Sequence, residues 1–225
     1  MIFIISIHNL RCRLLQLSPM KIILIGYCTI ILIGTLLLGL PIATRNPEDA
    51  NFFTGFFTAT SATCVTGLIQ FDTYTYWSPF GQAVILGLIQ IGGIGFMTLG
   101  IFIMVLAKVK IGLISRSLMQ NSVSAPQIGG IVKMTRFILR GTFSIELFGA
   151  ILLAIYFCPK YGLGKGIWFS IFHSISAFCN AGFDLMGTAE PFSSLTAQVG
   201  NWYVNLIIMS LIVVGGLGFF VWRDI

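Results

Sequence analysis

The sequence contains FFTATSATCVTGL at residues 56–68 and a related stretch, IFHSISAFCNAGF, at residues 171–183. At an offset of 115 residues the two stretches share five identities: Phe57/Phe172, Ser61/Ser176, Ala62/Ala177, Cys64/Cys179 and Gly67/Gly182. A second pair follows at an offset of 123 residues, IGGIGF at 91–96 and VGGLGF at 214–219. Two matches in the same order indicate an internal repeat, and the added residues fall in a predicted outer loop, where insertions are tolerated.

The composition is that of an integral membrane protein. Of the 225 residues, 56% are hydrophobic and 9% are charged, and the mean hydropathy is +0.95. A soluble chain of this composition would expose large apolar patches and aggregate. The net charge of +6 is not arranged as a basic stripe interleaved with aromatic residues, so we predict no nucleic-acid partner. The five cysteines are scattered and odd in number, which argues against a disulfide framework.

Apolar stretches of two lengths alternate along the chain. Four are long enough to cross a bilayer as helices: 22–43, 80–107, 137–157 and 200–222. Two are too short and are typical of re-entrant segments: 50–62 and 166–178. The order long, short, long therefore occurs twice.

This order predicts an all-α integral membrane fold. We expect two tandem parallel repeats, each made of a transmembrane helix, a pore helix, a filter loop and a second transmembrane helix. The predicted divisions are an N-terminal cytoplasmic or interfacial leader (1–20), the first pore repeat (21–110), a basic cytoplasmic loop (111–136) and the second pore repeat (137–225).

The distribution of charge predicts the orientation. Ten of the thirteen basic residues fall on one side of the four predicted spans, which the positive-inside rule assigns to the cytoplasm. The opposite side carries most of the acidic residues: Glu48, Asp49, Asp72, Asp184 and Glu190. We therefore expect a multi-pass plasma-membrane protein with both termini in the cytoplasm and the bilayer as a partner.

A short helix that enters the membrane without leaving it must return as non-helical chain. Such backbone is tolerated only where it lines a cavity, because an unsatisfied peptide group in hydrocarbon is costly. The carbonyl groups of residues 63–68 can then face an ion and replace its hydration shell. Gly67 permits the dihedral angles this requires, and the negative end of the helix dipole favours a cation.

The motifs TATSATCVTGL, QIGGIGFMTLG (90–100) and LIGTLLLGLPIAT (32–44) resemble the Trk/Ktr/HKT superfamily of potassium transporters, and within it the bacterial Ktr membrane subunit. The resemblance runs from about Lys21 onward. It implies potassium uptake through a carbonyl-lined selectivity filter, with sodium coupling left open. It implies a pseudo-fourfold pore made by four repeats, of which this sequence contains two, the N-terminal half. No cofactor is expected besides the transported K⁺ or Na⁺, and no enzyme activity.

The resemblance also implies the site residues. The first filter segment is Thr63, Cys64, Val65, Thr66 and Gly67, and the second is Phe178, Cys179, Asn180, Ala181 and Gly182. Asp72 and Asp184 follow the two filters and are candidates for an outer vestibule that concentrates cations; solvated loop residues are the alternative. The repeat-equivalent cysteines predict no metal site, because further ligands are lacking.

Several partners are implied in the same way. Either the chain is a fragment, which we favour, or two copies form a homodimer to complete four repeats. A cytoplasmic nucleotide-binding regulatory ring is also implied. The basic stretch 108–140 is a candidate contact surface for it, although we favour topogenic charge and attraction to lipid headgroups as the interpretation of that stretch.

Three further features have two interpretations each. Glu146 lies in the third predicted span and is either functional or one half of a structural pair. His173 is predicted as a packed, hydrogen-bonded residue rather than an ion ligand. The glycine clusters at 92–95 and 215–218 favour close helix packing over hinges.

Two other function classes remain open besides a pore. A non-conducting assembly subunit would share these features, and a secondary transporter of another fold would also contain broken helices. A membrane enzyme is disfavoured because the two histidines are far apart and a single acidic residue lies within a predicted span.

Overall fold

A computed structural model describes residues 19–95, 131–188, 190–218 and 221–222. Within these ranges the regular structure is helical, and its one β-type pairing is an isolated bridge between Thr44 and Trp77. The chain divides into two compact units. The first comprises residues 1–29 and 95–137, and its described part contains helix ends only. The second comprises residues 30–94 and 138–225 and contains every site discussed below.

Seven α-helices are described. Their bounds are α1 Pro19–Leu38, α2 Phe52–Thr63, α3 Thr73–Tyr76, α4 Pro79–Ile94, α5 Ile131–Tyr161, α6 Leu163–Phe178 and α7 Trp202–Gly216. Short 3₁₀ turns cover Pro41–Ala43, Pro47–Asp49 and Ser194–Gln198. The predicted fold class, an all-α protein, agrees with these elements, whereas the pore-repeat architecture stays a prediction.

The predicted spans correspond to helices with different limits. Within the described residues, the part of α5 from Thr135 to Tyr161 is long and apolar enough to cross a membrane. Three other apolar helices are shorter: Ile23–Leu38, Pro79–Ile94 and Trp202–Gly216. The predicted second span continues beyond Gly95, and that part lies outside the described residues, as does the leader up to residue 18.

Polar side chains cap the N-terminal ends of α2 and α7 and set the residues at which these helices begin. The carboxamide oxygen of Asn51 accepts from the amide of Phe53 at 2.9 Å and begins α2. Asn201 begins α7 in the same way, accepting from the amide of Tyr203 at 3.1 Å. Such caps satisfy amide groups that have no partner within the helix.

The second unit has an interior that is unusually polar and a surface that is unusually apolar. Buried polar side chains include Thr58, Ser61, Gln82, Glu146 and Ser174. Leu36, Leu147, Phe148 and Ile155 are each more than half exposed. This distribution is typical of a protein whose surface contacts lipid and whose polar groups find partners inside.

The two repeats pack in the same way. A methyl group at Gly34 would contact Leu88 and Ala59, and a methyl group at Gly149 would contact Leu211 and Ser174. The sequence offsets of 115 and 123 residues pair all of these positions with one another. In the first repeat α2 also packs against α4, and in the second repeat α6 packs against α7, while α4 contacts α6.

Candidate functional site

Helices α2 and α6 end in the same backbone turn. After α2, the amides of Cys64, Val65 and Thr66 donate to the carbonyls of Thr60, Ala62 and Ser61, at 2.8, 3.3 and 3.0 Å. After α6, the amides of Cys179, Asn180 and Ala181 donate to the carbonyls of Ile175, Ala177 and Ser176, at 2.9, 3.1 and 2.8 Å. The last two hydrogen bonds of each set, in which two consecutive amides donate to carbonyls three and five residues earlier, form a Schellman motif. Every donor and acceptor in one turn is 115 residues from its counterpart in the other.

Both turns use left-handed backbone conformations at the same two places. The first place is Val65 with φ of 57°, matched by Asn180 with φ of 57°. The second is Gly67 with φ of 75°, matched by Gly182 with φ of 72°. Asparagine and glycine tolerate this region, but a β-branched valine is an outlier there, and such conformations persist only where the surrounding structure imposes them.

The two turns lie side by side. A methyl group added to Gly67 would lie 2.7 Å from the carbonyl oxygen of Ala181 and 3.4 Å from the α-carbon of Gly182. One added to Gly182 would lie 3.4 Å from the α-carbon of Gly67. The structure therefore brings together the two glycines that the sequence singled out, although they are separated by 115 residues.

The turns expose carbonyl groups that the helices do not use. Within the described residues, the carbonyl oxygens of residues 64–67 and 179–182 accept no hydrogen bond. These carbonyls follow the C-terminal ends of α2 and α6, where the helix dipole is negative. Such an arrangement can replace water around a cation without any carboxylate.

Glycines on the following helices allow close approach to each turn. A methyl group at Gly92 would collide with the carbonyl oxygen of Thr63, and one at Gly215 would collide with that of Phe178. One at Gly93 would collide with the sulfur of Cys179 in the other repeat. Close packing, the favoured interpretation of these glycines, is therefore confirmed at three positions. Gly95 and Gly218 lie just after the C-terminal ends of α4 and α7, and both have left-handed φ angles, 84° and 81°.

Side chains support the two turns differently. In the first, the hydroxyl groups of Ser61 and Thr66 are 2.9 Å apart and share a hydrogen bond. In the second, the Ser176 hydroxyl donates to the carbonyl of Phe183 at 2.5 Å. His173 is buried, with Nδ1 2.7 Å from the carbonyl oxygen of Phe169 and Nε2 3.3 Å from the amide nitrogen of Leu185. The prediction of a packed, hydrogen-bonded histidine is confirmed.

Asp72 does not occupy the position expected from the sequence, which was an outer vestibule or a solvated loop. Asp72 is 4% exposed, so this residue does not lie open at a vestibule or in solvent. It caps α3 by accepting from the amides of Tyr74 and Thr75 at 3.0 and 2.8 Å, and it accepts from the amide of Phe192 at 3.0 Å. Unpaired amides at a helix start and in a loop explain why the acid turns inward.

Asp184 is more open. It lies next to a cavity of about 280 Å³ that is also lined by Asn180 and Gly182, and one carboxylate oxygen accepts from the amide of Met186 at 2.8 Å.

At the outer loop near Asp72, the Tyr76 hydroxyl donates to the carbonyl of Asp49 at 2.5 Å. Burial raises the pKa of the Tyr76 phenol above its ordinary value.

The sequence missed one residue beside the second turn, Gln90. Its amide nitrogen donates to both carboxylate oxygens of Glu146, at 2.9 and 3.0 Å. A glutamine inside an apolar helix was the available signal, since a polar group there needs a partner. Thr63, by contrast, was predicted at the site, and its hydroxyl is buried without a partner in the described structure.

Comparison with known proteins identifies the class. Residues 18–225 match the family model of TrkH, described as a cation transport protein. The chain belongs to this family, and a membrane location is consistent with it.

Among its relatives is the potassium/sodium uptake protein NtpJ of Enterococcus hirae, 44% identical over 210 residues, which are 93% of this chain and 46% of that protein. Two others are from Bacillus subtilis. Ktr system potassium uptake protein B is 43% identical over 93% of this chain and 46% of its own length. Ktr system potassium uptake protein D is 36% identical over 92% and 45%. The chain spans about half the length of the curated relatives it matches.

Proposed function

We propose that the protein takes part in potassium uptake across the plasma membrane, with a selectivity filter formed by residues 63–67 and 178–182. The observation that carries this proposal is the pair of matching turns whose glycines, Gly67 and Gly182, lie next to each other after two helix C-termini. The free carbonyl oxygens of these turns supply the oxygen ligands that a dehydrated cation needs. Relatives named as potassium uptake proteins support the choice of ion.

The proposed assembly contains four such turns around one pore. Two turns cannot surround an ion, so they require either two more repeats in the same protein or a second copy of this chain. We propose a multi-pass topology with cytoplasmic termini, because the basic residues favour that orientation. The resemblance to Ktr membrane subunits also supports a cytoplasmic nucleotide-binding regulatory ring as a partner. Sodium coupling is tested by measuring K⁺ flux with and without Na⁺ in the assay described next.

The test uses a cell that lacks potassium uptake and expresses the protein from its complete coding sequence. Gly67→Asp and Gly182→Ser are compared with wild type in K⁺ flux and in preference for K⁺ over Na⁺. Both variants should lose the preference, because a side chain at either position disturbs the turn. Gly87→Ala is the matched control, since a methyl group there meets no atom within 4 Å. An unchanged ion preference in both filter variants contradicts the proposal.

The same assay separates the alternative of a non-conducting assembly subunit. Wild-type protein that reaches the membrane but restores no K⁺ flux would favour that alternative. Flux that is preserved in Gly67→Asp and Gly182→Ser would favour a transporter whose ion site lies elsewhere.

A further inference from the structure

A buried polar network joins the second turn to the first repeat. Glu146 on α5 accepts two hydrogen bonds from the amide nitrogen of Gln90 on α4, at 2.9 and 3.0 Å. The thiol of Cys179, the first residue after α6, donates to the same carboxylate at 3.9 Å. The main chain of Glu146 is also engaged, because its carbonyl accepts from the Ser174 hydroxyl at 2.6 Å. One acidic residue therefore contacts both repeats.

The carboxylate determines the orientation of its partners. Within the described residues, the groups that reach it are the amide of Gln90 and the thiol of Cys179, both donors, and neither is basic. The other atom of the Gln90 amide, Oε1, is buried there without a partner. Turning the amide over would place this oxygen against the oxygens of Glu146. The Gln90 amide therefore donates to the carboxylate, and its oxygen Oε1 remains without a partner within the described residues.

The network occurs once in the two repeats. The sequence offsets pair Glu146 with Ile31 and Gln90 with Val213, which are both apolar. The counterpart of Cys179 is Cys64, which is exposed. The network is therefore not needed to form the turn itself, because the first turn has the same backbone hydrogen bonds without it.

The network holds the second turn at its start. Cys179 lies between Glu146 and Gly93, where a methyl group would collide with its sulfur. Cys179 also begins the stretch that leads through Asn180 to Gly182. A displacement of Cys179 therefore moves the carbonyls of residues 179–182 relative to Gly67.

We propose that Glu146 is a positioning residue that holds the second filter segment against the first repeat, through Cys179 on one side and Gln90 on the other. Its effect is on ion preference, because preference for K⁺ over Na⁺ depends on where the carbonyl oxygens stand. This inference rests on the proposed function, since it assigns a role within that filter.

The test measures the ratio of K⁺ to Na⁺ transport in the same uptake-deficient cells, with the protein expressed from its complete coding sequence. This ratio does not depend on how many molecules reach the membrane, so a merely structural role would leave it unchanged. In Glu146→Ala we expect the ratio to fall about tenfold. The double variant Gln90→Glu with Glu146→Gln keeps one amide and one carboxylate in contact, and it should restore most of the ratio. Glu48→Gln removes an exposed carboxylate and should behave as wild type.

Two further variants decide the matter if Glu146→Ala does not reach the membrane. Gln90→Leu and Cys179→Ala each remove one donor, and each should lower the ratio. The inference is overturned if the variants of Glu146, Gln90 and Cys179 keep the wild-type ratio while Gly182→Ser changes it. If Gly182→Ser also keeps the ratio, the proposed filter is wrong, and the role of Glu146 is rejected together with it.

Discussion

The first and second turns share their backbone hydrogen bonds but differ in the side chains that hold them. The first turn places Val65 in a left-handed conformation and leaves Cys64 exposed. The second places Asn180 in that conformation, and Cys179 packs between Gly93 and Glu146. Buried His173 fixes the chain beyond the second turn, whereas its counterpart in the first repeat is Thr58.

The geometry of the turn and its support by side chains are therefore separate properties. The shared geometry requires only a helix end, a left-handed residue and a glycine two residues later. The support depends on neighbours that are specific to each repeat. Variants at matching positions should therefore have similar effects where the backbone is concerned and different effects where side chains support it.

We expect the strongest effect on transport in the comparison of Gly67→Ala with Gly182→Ala. Both place a side chain at a left-handed residue, which costs roughly 1–2 kcal/mol. Gly67→Ala should be the more damaging, because its methyl group would lie 2.7 Å from the Ala181 carbonyl oxygen, whereas the nearest atom at Gly182 is 3.4 Å away. We expect K⁺ flux per molecule in the membrane to fall at least tenfold in Gly67→Ala and less in Gly182→Ala. Equal flux in the two variants would contradict this difference in spacing between the turns.

The second comparison concerns stability and uses two glycines on α4. Gly92→Ala forces a methyl group into the carbonyl of Thr63, and overpacking of this kind typically costs about 1–3 kcal/mol. Gly87→Ala meets no atom within 4 Å and should stabilise the helix by about 0.5–1 kcal/mol. Thermal unfolding of the purified protein in detergent measures both. Gly215→Ala should resemble Gly92→Ala, and a clear difference between those two would show that the repeats are supported differently here as well.

The next comparison exchanges the left-handed residues. Asn180→Val should destabilise the protein by about 1–2 kcal/mol, because a β-branched side chain is disfavoured in this conformation. Val65→Asn should stabilise it by up to about 1 kcal/mol for the same reason. Unfolding temperatures of the two variants give the answer. A Val65→Asn variant that is less stable than wild type would mean that packing of Val65 outweighs its backbone strain.

The smallest expected effect concerns the outer acids. Asp72→Asn weakens a buried cap and its bond to Phe192, and loss of a cap costs about 0.5–2 kcal/mol. Asp184→Asn should change stability by less, because its side chain is partly exposed and accepts one hydrogen bond within the described structure. Unfolding in detergent checks stability, and K⁺ flux at low external K⁺ checks the vestibule role. A flux defect in Asp184→Asn with unchanged stability would support that role for Asp184 alone.

The sequence located the two turns because their chemistry is local. A glycine after a short apolar helix, repeated 115 residues later with the same serine, alanine and cysteine, needs no tertiary information to be recognised. Hydropathy likewise located α1, α4, α5 and α7, although a polar cap such as Asn201 sets the residue at which α7 begins. The burial of Asp72 escaped prediction, because its partner Phe192 lies 120 residues away along the chain.

The helical class, the internal repeat and the residues of both turns could be predicted from the sequence, since periodicity, composition and glycine chemistry act within a few residues. The contact of Gly67 with Gly182, and the link that Glu146 makes between Gln90 and Cys179, became visible in the folded chain. These contacts depend on how α4, α5 and α6 pack. Packing brings together residues that are far apart in the chain, and no local sequence pattern links them.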